Sequence, residues 1–584
     1  MKLGNILSTA VFALFAAALP HDDFPWEVDL KDGPSPTLEK RASCTGNTAS
    51  TRTQWCDYDV TTDYTTTVVD TGVTREYYFD IAGVTIAPDG VERVAQAING
   101  SFPGPPIIAD WGDMVRVHVT NSLGSDWPNG TTIHFHGIRQ NYTNQNDGVS
   151  SITQCPIAPG SSYTYEWKAV QYGTSWYHSH WALQAWEGIA GPIIINGPAS
   201  ADYDVDAGAL SITDWSHFTA DQGDISDRTT GPPTQSNGLI NGTNVFGEDG
   251  AANQTGYRFN MTVASGTSYR LRLINMAIDT HFKFMIDNHT LTVISTDLVP
   301  ITPYETDVLN IAIAQRYDVI VTANQGAIAS DFWIRAIPQL ACSENDSTDN
   351  IKGILHYGTN TTISTPNTTA YSYTDACVDE NASNLVPIVS KDAGTLYYNT
   401  TEPVDITTDS AGFLRWTMNS TSMQISWDDP TLLQIYNGNT TFSNSSGVVQ
   451  VPDADVWVYV VIEAENAVPH PIHLHGHDFL VLGSGTGSYN STDELTLTNP
   501  PRRDTATLPL SGWLVVAFQT DNPGAWLMHC HIGWHAVEGF AIQFIERYDE
   551  IKALIDYDTL ENTCSAWDTW HAESDIVQGE DSGI

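Results

Sequence analysis

The chain has 584 residues, 41% hydrophobic and 10% aromatic, enough for a large core and, at roughly 150 residues per domain, for three or four domains. Only 16% of residues are charged, yet 69 Asp and Glu outnumber 24 Lys and Arg, giving a formal charge of −45 at pH 7. So acidic a surface argues against nucleic acid or an anionic membrane as partner and fits a soluble protein working in acid surroundings.

The N-terminus reads as a secretory signal over residues 1–20: Lys2, then an apolar run from Ile6 to Leu19 with several alanines. A run of about fourteen residues is too short to span a bilayer. A polar stretch follows and ends in Lys40-Arg41, a dibasic cleavage pattern, so 21–41 reads as a propeptide and the mature chain starts near Ala42. No later stretch is apolar enough for a transmembrane helix. Asn-x-Ser/Thr acceptors, among them Asn99, Asn129, Asn241, Asn288, Asn367, Asn419 and Asn490, support a secreted, extracellular, N-glycosylated protein. Each is weak alone and their density carries the reading; heavy glycosylation leans toward a monomer. The seven cysteines are Cys44, Cys56, Cys155, Cys342, Cys377, Cys530 and Cys564. An odd number in a secreted chain leaves one thiol outside the disulfides, and six others allow fifteen pairings.

After Ala42 the pattern is strand-like. Met114–Val119, Tyr163–Trp167, Tyr269–Ile274, Arg316–Thr322 and Trp513–Thr520 alternate and are rich in β-branched and aromatic residues, which predicts an all-β chain of sandwiches or barrels. Only the region from Tyr548 to Leu560 reads as helical. The Gly-Pro-Ala-Ser stretch at 197–200 and the Ser/Thr/Asn-rich segment 358–402 read as connections.

The histidines cluster. His134 and His136 lie in TTIHFHG, His178 and His180 in GTSWYHSHW, and His470, His473, His475 and His477 in HPIHLHGH. The fourth group, His529-Cys530-His531, opens HCHIGWHAVEGF, which runs through His535 to Phe540. In an extended strand an HxH pair shows both rings to one face, and Cys530 points to the other. Eight imidazoles in four pairs match what three copper ions need. His470, Cys530 and His535 remain for a separate copper, because a His2Cys set with a weak or absent axial partner describes a blue-copper electron-transfer site. His477, His118, His217, His281, His289 and His356 read as structural.

These segments resemble the motifs of multicopper oxidases, and most closely those of the laccases of filamentous fungi. The resemblance rests on His134-Phe-His-Gly followed by Asp147-Gly148 and Gln154-Cys155-Pro-Ile, on residues 173–191, on HPIHLHGHDFLVLG at 470–483, on NPPRRDT at 499–505 and on 521–535. It covers essentially the whole mature chain. The ending Asp581-Ser-Gly-Ile584 is similar to the ascomycete branch, where such a tail lies in the solvent channel leading to the copper cluster.

The resemblance implies three sequential cupredoxin-like Greek-key domains with short helices, drawn here at 42–198, 199–384 and 385–584, the last with the C-terminal tail. It implies four copper ions. The type 2 ion takes His134 and His473. The type 3 pair takes His136, His178, His180, His475, His529 and His531. The type 1 ion takes His470, Cys530 and His535, with Phe540 at the axial position. It further implies disulfides Cys44–Cys56, Cys155–Cys564 and Cys342–Cys377, with Cys530 free.

The implied activity is one-electron oxidation of phenols and related aromatic donors, entering at His535, coupled through Cys530 to four-electron reduction of dioxygen to water, with Asp147 as proton relay. Lignin-derived phenols, pigment precursors and defence phenolics all remain open as donors. A ferroxidase or an ascorbate oxidase is the alternative on this scaffold. A copper-binding wall protein without catalysis is disfavoured by the complete ligand set.

Three positions depart from the family. Phe135 stands where Trp is usual, which reads as a packing change. Phe540 stands where Leu or Met is common; a non-coordinating axial residue predicts a medium-to-high potential. The loop after Asn241-Gly-Thr is rearranged, leaving Glu248 or Asp249 as candidates for the acid that anchors the phenol.

Overall fold

Along the strand Met114–Asn121 every second side chain is buried, the signature of a strand with one face on a core. Repeated through the chain, this pattern yields six large sheets in a computed structural model that describes residues 46–124, 129–358, 362–579 and 581–584. The signal and propeptide segments expected at 1–41 lie outside the described residues.

The sheets come as three successive pairs. Residues 74–196 form two four-stranded sheets, 205–357 a six- and a five-stranded sheet, and 396–546 another six- and five-stranded pair. The second and third pairs follow one plan, with strands Val205–Trp215 and Leu396–Thr408 each pairing parallel to the next long strand of its sheet and antiparallel to a shorter one. Aromatic and β-branched residues fill the interiors, with Trp111, Trp167, Trp176 and Trp526 fully buried.

All five strands expected from sequence form, displaced by a residue at most ends. Two expectations need correction. Segment 358–402 is a connection only in part, because its last residues begin the long strand Leu396–Thr408. The helical region does not run unbroken over 548–560: a turn at Tyr548–Ile551 ends before Asp556, which caps a separate helix, Tyr557–His571, through Thr559 N–H. The helix Ala220–Thr230 was not foreseen; Thr219 and Gln222 close a capping box at its start, a device that satisfies two of the open N–H groups.

Cys155–Cys564 fastens the C-terminal helix to the first sandwich, and Cys342–Cys377 closes a loop of the second. Cys56 is disulfide-bonded, and its expected partner Cys44 lies outside the described residues. Cys530 is free and buried. Among the described residues no helix is long and apolar enough to cross a membrane.

Candidate metal centres

The HxH segments lie at strand ends, and register brings them face to face. In the first sandwich His134–His136 pairs antiparallel with Gly173–His178, setting His134 opposite His178. In the third, His470–Leu474 pairs with Gly524–Cys530, setting His473 opposite His529 and Ile472 opposite Cys530. Alternation then puts the His473–His529 row and Cys530 on opposite faces of one sheet. His180, His475 and His531 lie just beyond the strand ends; His531 N–H donates to Pro471 O at 2.7 Å.

Four imidazoles from each sandwich meet across their interface. His136 stacks on His473 with ring centroids 3.8 Å apart, and His134 lies 4.0 Å from His475. His180 is 5.3 Å from His529, and His178 is 5.3 Å from His531. All eight are buried.

The ring nitrogens show what this cluster can bind. Nδ1 of His134, His178, His473 and His529 lies 2.8–2.9 Å from a backbone carbonyl, that of Asp147, Ser179, Asp504 and Cys530 respectively. A carbonyl only accepts, so each Nδ1 carries the hydrogen and each Nε2 presents a lone pair. His475 is fixed the same way by Asp147 Oδ2 at 2.8 Å. Nε2 of His134, His178, His180 and His473 has no partner. His136 is reversed: its Nε2 lies 3.1 Å from Asp504 Oδ1 and its Nδ1 is the open atom.

A buried polar atom left without a partner costs about 1–3 kcal/mol, so this many open lone pairs call for a ligand. Burial, reinforced by neighbouring rings, holds His136, His178, His180, His473, His475 and His531 well below the usual histidine range, so they are neutral and ready to coordinate. Donor atoms of His134, His473 and His475, of His134, His136 and His178, and of His180, His475 and His529 each fall within 4.8 Å of one another. Neutral imidazoles held by carbonyl or carboxylate partners are the donor set for copper or a similar ion.

The second set lies wholly in the third sandwich. His470 Nδ1 and His535 Nδ1 are 3.2 Å apart, and Cys530 Sγ is 3.7 and 3.5 Å from them. Bonds of roughly 2.0 Å to nitrogen and 2.3 Å to sulfur space trigonal ligands about 3.5 Å apart, so these three fit one metal without rearrangement. Asn466 Oδ1, 2.9 Å from His470 Nε2, fixes the tautomer that frees Nδ1. His535 sits on the short helix Gly533–Val537, whose first N–H donates to Ile278 O at 3.0 Å.

Phe540 is held by its backbone: its N–H donates to His535 O and its carbonyl accepts from Cys530 N–H. Its ring centroid is 4.9 Å from that of His470, and Trp416 stacks over it while lying tilted, 4.2 Å from the His535 ring. Burial pushes the Cys530 thiol up, so a metal must displace its proton. His535 is 4% exposed, while His470 and Cys530 are at 0%, which makes it the outward edge of the set.

A buried ionic clamp ties the histidine cluster to the second sandwich. Arg316 binds both oxygens of Asp504, at 2.6 and 2.5 Å, and Asp504 also faces His136. Arg503 pairs with Asp297 in the same network. Gly137 must be glycine here: with φ of +73° it takes a left-handed turn, and a side chain would run into Asp504 and Arg316. Gly148, at φ +78°, lies against the Ile133 carbonyl and lets Asp147 reach His134 and His475.

The remaining expected residues divide. Phe135 is buried against Tyr165 and Trp167. The tail is buried too: Ser582 bonds to the carbonyls of Ala536 and Val537 on the His535 helix, and Gly583 O accepts from Ser150 and Ser151. Ser150 also donates to His180 O, so four terminal residues touch the surroundings of both metal sets. Asp249 is paired with Arg258 at 2.8 Å, and it and Glu248 form the turn between the strands Val245–Phe246 and Thr255–Gly256, which leans on Asp89 and Gly90.

Residues unmarked in the sequence reading include Asp504, Trp416, Asn466 and Asp279. Asp504 stood in NPPRRDT without a role. Asp279 lies next to Ile278, the contact of the His535 helix; Asp214 accepts the N–H groups of 278–280 and shapes the turn. Nothing in the sequence around it signals this.

Three stretches match the family description multicopper oxidase: residues 62–200, 206–360 and 397–550. Laccase-2 of Botryotinia fuckeliana is 44% identical over the full length of both chains. The structure of the laccase from Botrytis aclada has a TM-score of 0.88 and 45% identity, covering 93% of this chain and all of that one. Fet3p, a multicopper oxidase that functions in iron import, is more distant, at a TM-score of 0.75 and 26% identity over 85% of this chain and 95% of its own. The first and third matched stretches carry the eight clustered imidazoles and the His2Cys set between them, and the second supplies the arginine that clamps them; the chain belongs to the multicopper oxidase family.

Proposed function

We propose that this protein is a secreted laccase with four copper ions: type 1 at His470, Cys530 and His535, type 2 at His134 and His473, and a type 3 pair at His136, His178, His180, His475, His529 and His531. One observation carries the reading. A buried His2Cys set and a buried eight-histidine cluster, each with its lone pairs turned inward, are joined through the single segment His529–Cys530–His531. Bound copper would supply the redox chemistry, one-electron steps at the first set and reduction of dioxygen to water at the second. The chain supplies positioning and protons.

Phenolic donors meet the outward edge of His535. Asp279 is favoured over Glu248 or Asp249 as the acid that accepts the donor's hydroxyl: its segment touches the His535 helix, whereas Asp249 is engaged by Arg258. Asp147, whose Oδ1 lacks a partner and lies 3.2 Å from His134 Nδ1, delivers protons to the histidine cluster. The domains run over 42–198, 199–384 and 385–584; each pair of sheets falls within one of these spans.

The test is oxygen uptake by the copper-loaded secreted protein with 2,6-dimethoxyphenol, Fe(II) and ascorbate in parallel. Fastest uptake with the phenol and no hydrogen peroxide is expected, and Asp279→Asn should raise KM for the phenol. Preference for Fe(II) or ascorbate would overturn the substrate class while leaving the copper assignments standing.

A further inference from the structure

A line of tryptophans runs from the histidine cluster to the C-terminal helix. Trp181 directly follows His180, whose Nε2 is one of the open donor atoms. The Trp181 ring centroid is 5.1 Å from that of Trp427, in the segment after Leu414–Met418, and Trp427 is 6.0 Å from Trp567 on the helix Tyr557–His571. Trp567 in turn lies 5.2 Å from Trp570 and 5.0 Å from His571. Trp181, Trp427 and Trp567 are buried, whereas Trp570 is half-buried at the surface. Rings at these separations touch at their edges. Indole gives up an electron more readily than any other apolar side chain, so touching indoles can pass a hole from ring to ring.

The N–H groups along the line differ in a way that packing does not require. A buried indole N–H usually finds an acceptor. Those of Trp181 and Trp427 have none, while that of Trp567 donates to Asp428 Oδ1 at 2.7 Å. His571 Nδ1 is 3.0 Å from the same oxygen, and the Asp428 side chain is 47% exposed, in touch with solvent. An indole that has lost an electron becomes strongly acidic at nitrogen. At Trp181 and Trp427 the proton has nowhere to go, so a hole there stays cationic and moves on. At Trp567 the proton can pass to a carboxylate, which makes this ring the resting place of the hole.

We propose that Trp181, Trp427, Trp567 and Trp570 carry single electrons from the surface to the histidine cluster, with Trp570 as a second meeting point for phenolic donors, remote from His535. Trp181 gives one electron toward the four that reduce dioxygen and is refilled from Trp427, which is refilled from Trp567. The Trp567 N–H proton moves to Asp428. A phenol at Trp570 then returns one electron to Trp567, Asp428 hands its proton back, and the phenol's own proton leaves to solvent as a phenoxyl radical forms. The line supplies the occasional missing electron and spares the ligating imidazoles from oxidation, while His535 remains the entry for steady turnover. This assignment rests on the copper sites proposed above.

Rapid-freeze EPR of the copper-loaded protein tests it. The protein is reduced anaerobically with one electron fewer than dioxygen reduction needs and then mixed with oxygen. An organic radical should appear, and its lines should narrow in protein carrying indole-deuterated tryptophan. Trp427→Phe should lower its yield at least fivefold. Asp428→Asn, at the surface, should shorten its lifetime at least fivefold, and Trp570→Phe should slow its quenching by 2,6-dimethoxyphenol several-fold. Copper content and phenol-driven oxygen uptake, measured on the same samples, test the copper assignment separately. With both normal, absence of a radical, a signal that deuterated tryptophan leaves unchanged, or a yield and lifetime unaltered in Trp427→Phe and Asp428→Asn would each overturn the electron path alone.

Discussion

His470, Cys530 and His535 belong to one sandwich and are fixed by its own strands and a short helix, whereas the eight clustered imidazoles come four from the first sandwich and four from the third. The first set needs only local folding to bring its donors within 3.2–3.7 Å. The second exists only when the first and third sandwiches dock, and Arg316 of the second sandwich holds the joint through Asp504. A locally built site is robust and tunable by near neighbours, while a site built at an interface inherits the stability of that interface.

Removing the sulfur donor is the strongest way to break this contrast. Cys530→Ser should reduce phenol oxidation to background and abolish the blue absorption, yet lose only about one copper per chain by elemental analysis. Loss of all copper would show that the two sets do not assemble independently.

Asp504→Asn attacks the interface instead. Removing the carboxylate behind a ligating histidine commonly weakens metal affinity by 10–100-fold, so copper should leave the histidine cluster under a chelator while the blue band persists. It also leaves buried Arg316 with Asp297, 3.4 Å away, as its remaining carboxylate, so the loss should fall short of the roughly 3–5 kcal/mol of a fully broken buried pair and still be readable as a lower denaturant midpoint. Blue and cluster copper leaving together would contradict the local character assigned to the first set.

Phe540→Met acts on the local site alone. A thioether beside His470 and Cys530 adds a weak donor, so redox titration should give a lower potential, with phenol oxidation slowed several-fold and cluster copper unchanged. An unchanged potential would mean that the backbone bonds of Phe540 to Cys530 and His535 hold position 540 away from the metal.

The contrast also explains how much the sequence revealed. Alternation made the strands legible, and the i, i+2 spacing of the histidines made both donor sets legible, because strand geometry is local. Glu248 and Asp249 were singled out for proximity in sequence to a rearranged loop, yet Asp249 is taken by Arg258, nine residues on. Asp504 and Asp279 act through partners 188 and 65 residues away, Arg316 and Asp214, and no local pattern encodes such contacts. The helix Ala220–Thr230 did carry a local mark, the Thr219–Gln222 capping box, but without a clear apolar stripe it reads as loop.

That helix supplies the smallest and most selective test. Asp224 and Asp227 lie on it, Gly223 packs on Trp534 beside His535, and Glu538 is buried next to Asp227. Burial first, then the Asp227 charge, raises Glu538 far above the ordinary carboxylate range, and burial lifts Asp581 in the tail to about 7. A carboxyl whose folded pKa is raised keeps a proton that the unfolded chain releases, so its stability contribution is full below the unfolded value and is lost as pH rises through the folded one. Taken alone, these two carboxyls make the thermal midpoint fall from mild acid through neutrality, while the buried neutral histidines act in the opposite direction, so the difference between variant and parent isolates Glu538. Glu538→Gln, neutral at every pH, should match the parent at pH 4 and exceed it at pH 8 by about 1–3 °C, a shift typical of a one-group effect in a large chain. Because Glu538 adjoins the locally built set, the slope should follow blue absorbance, not cluster copper. A Glu538→Gln midpoint that gains nothing on the parent between pH 4 and pH 8 would show that Glu538 ionises freely and that the helix does not seal it.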